Sequence, residues 1–261
     1  MPELAELAHP AAAKVRVEHI MGTAVGIDLR GTSLPDVVID SAFARLRFID
    51  ARFSTYRPDS EFSRLIRGDL DEADCSAELR FLLGLCEDLR RTSDGYFDIR
   101  RHRPDGRPDP TGLVKGWAIE EAAFLLESAG ARDFTVNAGG DVVARGEAEP
   151  GQPWRVGIRH PEQSDRVAAV LAIRDLAVAT SGAYERGQHI IDPHDGRPAR
   201  DLLSLTVVGP SLTYADAYAT AAFAMGSRGP AWVHGHPGYG AYAIGTDRRA
   251  VWTPRVESLL V

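Results

Sequence analysis

Cysteine is scarce in this chain: Cys75 and Cys86 are the only two among 261 residues. Two thiols cannot form the disulfide framework that stabilises small secreted domains, so the fold has to rest on a hydrophobic core. No run of 18 apolar residues occurs, which excludes a membrane-spanning helix of ordinary length. Long Lys/Arg runs are also missing, and the net charge is −7, so nucleic acid is not an expected partner. Met1 to Lys14 is Ala-rich but carries Glu3 and Glu6, with neither a basic start nor a continuous apolar centre. It does not read as a signal peptide, and a cytoplasmic location is expected. Residues 1–14 are expected to be a flexible segment. With no internal repeat and no low-complexity linker, residues 15–261 are expected to form one domain.

What is present is ordinary globular composition, 44% hydrophobic and 26% charged. Residues 15–20 and 23–30 alternate apolar and polar around Met21-Gly22, predicting two strands joined at a kink or turn. Val38, Ala42, Leu46, Ile49 and Phe53 recur at spacings of three and four, predicting an amphipathic helix that starts near Pro35. Helices are predicted over 61–66 and 77–92, the second capped by Ser76, with Cys86 beside Leu79, Leu82 and Leu89 as a buried small hydrophobe. Residues 93–112 lack periodicity and predict a loop; 113–129 predicts a helix stopped by Gly130. Strands are predicted over 133–138, 141–146, 154–159, 167–174, 176–180, 188–192, 203–209, 240–245 and 249–253, with one helix around Asp216. The fold class is α+β, a mostly antiparallel sheet with helices packed on it.

Several segments carry residues suited to chemistry. Met21-Gly22-Thr23 allows a close backbone approach, or is a plain strand kink. Phe53-Ser54-Thr55-Tyr56 offers an aromatic wall for a flat ligand, or a core Phe followed by a capping Ser. Asp109-Pro110-Thr111-Gly112-Leu113-Val114-Lys115-Gly116 leads into a helix start, where free N–H groups and Lys115 within the first turn suit an anion. No Ser or Thr follows Lys115, so the Walker pattern is not met. Asn137-Ala138-Gly139-Gly140-Asp141 reads as a hairpin turn. A Thr180-Ser181-Gly182 turn precedes His189-Ile190-Ile191-Asp192-Pro193, where His189 is either a core histidine or a proton-transfer group. Asp216 and Thr220 lie four apart on one helix face. A carboxylate and a hydroxyl on that face suit a hard cation such as Mg²⁺; the alternative is a solvated Asp and a Thr bonded to its own backbone.

In order and wording these segments together resemble the ApbE-type FAD:protein FMN transferases. The resemblance covers nearly the whole chain: Met21-Gly22-Thr23, Phe53 to Tyr56 with Asp59-Ser60-Glu61, Gly95-Tyr96-Phe97-Asp98, Asp109 to Gly116, Asn137 to Asp141, Thr180-Ser181-Gly182, His189 to Pro193 with Gly196, and Ala215-Asp216-Ala217 with Ala219-Thr220. It implies a single T-fold-related domain that binds FAD and Mg²⁺, cleaves the pyrophosphate and passes FMN to a threonine of a target flavoprotein, releasing AMP. It further implies a metal site of Asp216, Thr220 and the Gly112 carbonyl. Met21, Tyr56, Tyr96, Phe97, Asp98, Asp109, Lys115 and Ile191 would line the FAD pocket, and His189, with Asp216, would act in catalysis.

Three features depart from that pattern. The loop from Phe97-Asp98 to Asp109 is short, the Asn usual after the Asp-Ser-Glu segment is replaced near Ile66, and the start carries no export or lipoprotein signal. Two other functions use the same residues: an FAD pyrophosphatase giving FMN and AMP, and a protein that binds FAD without cleaving it.

Overall fold

A computed structural model describes residues 13–101, 106–182 and 190–261. Its centre is an eight-stranded sheet in the order β1-β2-β3-β4-β7-β10-β11-β12. The strands are β1 (Lys14–Ile20), β2 (Thr23–Arg30), β3 (Asp133–Ala138), β4 (Asp141–Arg145), β7 (Leu176–Gly182), β10 (Leu202–Gly209), β11 (Gly240–Gly245) and β12 (Ala250–Trp252). Every neighbouring pair in that sheet is antiparallel. β5 (Trp154–Arg159) pairs with β6 (Val167–Ile173), and β8 (Ile191–Asp192) with β9 (Arg197–Pro198). The helices are α1 (Asp36–Phe53), α2 (Glu61–Arg67), α3 (Ala77–Thr92), α4 (Thr111–Ser128), α5 (Leu212–Ala224), α6 (Gly229–His234) and α7 (Pro254–Glu257).

Both faces of the central strands are buried, and the period of two assigns each residue to a side. Ala177, Ala179, Leu205, Val207, Ala241 and Ala243 belong to the large core shared with α1, α3, α4 and α5. Leu176, Val178, Val208, Tyr242 and Ile244 belong to a second core with Trp154, Ile158, Leu171 and Ile173 of the β5–β6 pair. The helix side of the sheet is lined by alanines, which lets the Ala-rich α5 lie close against it. Full burial of large side chains such as Phe43, Phe97 and Phe134 stabilises this core by about 1.5–3 kcal/mol each.

The α+β expectation is met, and most element positions agree within a residue or two. Thr180, Ser181 and Gly182 differ: they are the end of β7, paired to β10 through Thr206, Leu205 and Ser204, not a turn. Of the strand expected over 188–192, Ile191–Asp192 forms β8, while Gln188 and His189 lie outside the described residues. β1 begins at Lys14, whose Nζ bonds the Leu34 carbonyl at 2.7 Å and Asp36 at 2.6 Å. The short α6 and α7 carry no readable period and were not expected. Among the described residues no helix is long and apolar enough to cross a membrane.

Candidate functional site

The sheet register collects the glycine-rich segments at one end. Met21-Gly22 joins β1 to β2 between the Ile20–Thr23 pair, and Gly139-Gly140 joins β3 to β4 between the Ala138–Asp141 pair. All four turn residues have positive φ, the geometry of type I′ hairpin turns. Because Val25 pairs with Ala138, the two turns sit side by side. A Cβ on Gly139 would meet the Thr23 hydroxyl at 2.9 Å, which explains why this turn has no side chain there. Met21 holds φ at 55°, a left-handed conformation that costs a non-glycine residue about 1–2 kcal/mol.

Asp141 opens β4 at this end and is 1% exposed. Its carboxylate pairs with Lys115 Nζ at 2.5 Å and accepts the Thr180 N–H at 3.1 Å. Thr180 in turn shares a hydroxyl contact of 2.8 Å with Thr206. A buried carboxylate needs such partners, and Asp141 thereby ties α4 to β4 and β7. The sequence places Asp141 where a hairpin turn passes into a strand and assigns it no role in the site. The signal available was a carboxylate opening the otherwise apolar Val142-Val143-Ala144 strand.

α4 and α5 run antiparallel and meet along a seam of small residues. A Cβ on Gly112 would sit 2.8 Å from the Thr220 hydroxyl. A Cβ on Gly116 would sit 2.6 Å from the Leu212 carbonyl oxygen and 2.9 Å from Asp216 Cβ. Two glycines four apart thus face Asp216 and Thr220, themselves four apart. Asp216, only 5% exposed, accepts the Gly116 N–H on Oδ2 at 3.0 Å. In a regular helix that N–H serves the carbonyl of Gly112. Asp216 is therefore buried and Thr220 half-buried, both beside bare main chain, so a Mg²⁺ ion would meet carboxylate, hydroxyl and carbonyl donors of the right chemistry. Among the described residues no three His, Cys, Asp or Glu side chains form a metal cluster, so such an ion would depend on one carboxylate with neutral oxygens.

One expectation about α4 is corrected. The helix starts at Thr111, which places Lys115 beyond the first turn. Three of its early N–H groups have partners: Thr111 donates to Asp109 Oδ1 at 3.0 Å, and Leu113 and Val114 donate to the Pro110 carbonyl at 2.9 Å. Asp109 thus takes up the first N–H of this helix end, and the Pro110 carbonyl takes up two more.

The remaining expected pocket residues fall into two groups. Asp109 N–H donates to the Ile99 carbonyl at 2.7 Å, which places Asp109 beside the segment that carries Asp98. Asp98 accepts the Arg100 N–H at 3.0 Å and lines a cavity of about 420 Å³ with Arg90, Arg91, Asp94, Arg101 and His194. Tyr96 stacks obliquely on His194 at 4.4 Å and accepts a hydrogen bond from Arg228, whose guanidinium lies 5.4 Å from the ring centre. His194 and Arg228 are not among the expected site residues; His194 directly follows the His189–Pro193 segment, whereas nothing in the local sequence marks Arg228. Phe97 is fully buried in the core, its N–H on Ser93 Oγ at 2.8 Å. Ile191 is buried in β8 opposite Pro198. Tyr56 stands apart at 73% exposed, its N–H on Ser54 Oγ.

A model of the ApbE family matches residues 21–103 and 99–243. The FAD:protein FMN transferase of Salmonella typhimurium is 32% identical over 182 residues, covering 64% of this chain and 51% of that protein. The FAD:protein FMN transferase of Haemophilus influenzae is 25% identical over 245 residues, covering 70% of this chain and 71% of that protein. The matched part of the chain spans about half the length of the Salmonella relative. The flavin transferase ApbE from Vibrio cholerae superposes with a TM-score of 0.83 at 24% identity, over 96% of this chain and 100% of that one. The apbe protein of Thermotoga maritima gives 0.84 at 22% identity, over 95% and 99%. These two structures share the fold described above, and with the family match over most of its length, the chain belongs to the ApbE family.

Proposed function

We propose that this chain is a Mg²⁺-dependent transferase that cleaves FAD and attaches its FMN half, through a phosphoester bond, to a threonine of a target flavoprotein, releasing AMP. The observation that carries this reading is the α4–α5 seam, where Asp216 and Thr220 face the bare backbone of Gly112 and Gly116. It stands in a family whose relatives bear the name FAD:protein FMN transferase.

Asp216, Thr220 and the Gly112 carbonyl would hold Mg²⁺, which when bound offsets the negative charge of a pyrophosphate and orients it. In a chain of net charge −7, Lys115 is the cation placed to approach a phosphate oxygen, with Asp141 fixing its position. Met21, Tyr56, Tyr96, Phe97, Asp98, Asp109 and Ile191 complete the proposed flavin site, the aromatic members suiting flat rings. His189, assigned from its place in the sequence, takes the proton of the acceptor threonine. The threonine oxygen bonds to the FMN phosphorus as the bond to the AMP phosphate breaks, and AMP leaves with that electron pair. General-base help of this kind contributes about 10²–10⁴-fold.

The test incubates purified protein with FAD, Mg²⁺ and a flavoprotein acceptor. AMP together with an FMN-sized mass increase on the acceptor is the expected result. AMP and free FMN without labelled acceptor would replace the reading with an FAD pyrophosphatase; intact FAD would replace it with a binding protein. His189→Ala should slow transfer more than it weakens FAD binding, whereas equal losses would make His189 a pocket residue.

A further inference from the structure

The side of α4 that presents Gly112 and Gly116 continues one turn further to Glu120. There it meets the first turn of α5. Glu120 Oε2 accepts the Ser211 hydroxyl at 2.7 Å, the Thr213 backbone N–H at 3.1 Å and the Thr213 hydroxyl. Ser211 is the residue preceding α5, yet its own side chain makes no cap to that helix. The cap is supplied across the seam by a carboxylate, which also suits the positive end of the helix dipole. Four residues of α4 rise about 6 Å, as do four residues of α5, so a fixed contact at Glu120 sets the register at Gly116–Asp216 and Gly112–Thr220.

We infer that Glu120 is a positioning residue for the Asp216–Thr220 pair: by anchoring the first turn of α5 on α4, it sets where the two oxygen ligands stand relative to the Gly112 backbone. This rests on the metal reading proposed above. Glu120 touches neither metal nor substrate in this assignment. All three hydrogen bonds fall on a single oxygen, so a glutamine, which keeps one carbonyl oxygen, can replace it, while an alanine cannot.

The test measures Mn²⁺ binding to the full chain with FAD present, by electron paramagnetic resonance of the free ion, alongside circular dichroism and metal-free FAD binding. Glu120→Ala should weaken Mn²⁺ binding by roughly 10–100-fold, the range for losing a group that orients a metal ligand. Metal-free FAD binding should stay within about twofold of the parent, and Glu120→Gln should restore most of the Mn²⁺ affinity. Should Glu120→Ala not fold, the pair Ser211→Ala with Thr213→Val removes the two hydroxyl donors instead, leaving the Thr213 N–H, and should weaken Mn²⁺ binding in the same direction by a smaller factor. Unchanged Mn²⁺ affinity in the folded variant, with the parent binding the ion and Asp216→Ala not, overturns the role of Glu120 alone. A parent that binds Mn²⁺ no better than Asp216→Ala overturns the metal reading itself and this inference with it.

Discussion

The backbone N–H of Gly116 on α4 donates to Oδ2 of Asp216 on α5 at 3.0 Å. A main-chain donor thus fixes this carboxylate oxygen directly. The bond exists because Gly116 has no Cβ; one built there would lie 2.6 Å from the Leu212 carbonyl oxygen.

Asp216→Ala should reduce AMP release from FAD by at least about 100-fold at saturating Mg²⁺, and Thr220→Ala by about tenfold, in line with losing metal ligands of unequal charge. The check is a Mg²⁺ titration of AMP formation for each variant. Parent-like rates for Asp216→Ala at limiting Mg²⁺ would remove it from the site.

Gly116→Ala should destabilise the fold by about 1–3 kcal/mol, because the obstructing atoms belong to the α5 main chain and cannot rotate away. Gly112→Ala meets the Thr220 hydroxyl, a side-chain atom, and should cost less. Urea unfolding of the two variants orders them, and the reverse order would contradict this account of the seam.

Lys115→Met should lower stability by roughly 3 kcal/mol, since it leaves the Asp141 charge buried beside Thr180 without its cation. Adding Asp141→Asn should recover much of that loss, because no bare charge remains. A double-mutant cycle reads the coupling directly; strictly additive losses would mean the pair contributes nothing.

How much of this could be read in advance differs between helices and the site. Amphipathic α1 and α3 were legible because Leu46, Ile49 and Phe53, or Leu79, Leu82 and Cys86, repeat at the helical spacing. α5 is apolar on nearly every side, so period alone is mute there, and Asp216 and Thr220 stood out as polar exceptions in an alanine-rich run. The contacts that hold the surrounding elements together were not legible. Asp141, Glu120 and Arg228 act through contacts across 26, 93 and 132 positions of chain, respectively, and sequence spacing carries no trace of them. Thr180-Ser181-Gly182 was misplaced as a turn because small polar residues favour turns locally, while pairing with β10 overrides that preference.

Acid should weaken the α2–α3 junction through Glu61. Burial alone would raise the pKa of this carboxyl, but the Ser76 N–H and hydroxyl and Arg52 outweigh it and hold the pKa below the ordinary value of 4.5. A depressed folded value means the contribution is present above that ordinary value and is lost as pH falls through the lower one. Glu61→Gln should therefore be less stable than the parent at neutral pH and converge on it in acid. Urea midpoints from about pH 6 downward test the sign, and a constant gap at every pH would contradict it.

Neither cysteine should react with a disulfide reagent at pH 8 in the folded protein. Burial pushes the Cys86 thiol up to about 12 and raises Cys75 too, with Glu61 and Glu72 adding to the latter. Thiolate is the reactive form, so labelling should await unfolding and then report both groups. Rapid labelling of the native chain would contradict their placement in the core.

The glycine seam inverts the usual reading of an alanine scan. At most positions alanine deletes atoms, and a loss of activity marks a side chain that mattered. At Gly112 alanine inserts an atom against the Thr220 side chain, and at Gly116 against the Leu212 main chain. What α4 contributes there cannot be subtracted by mutation, only blocked, so a scan would register obstruction and never the contribution itself.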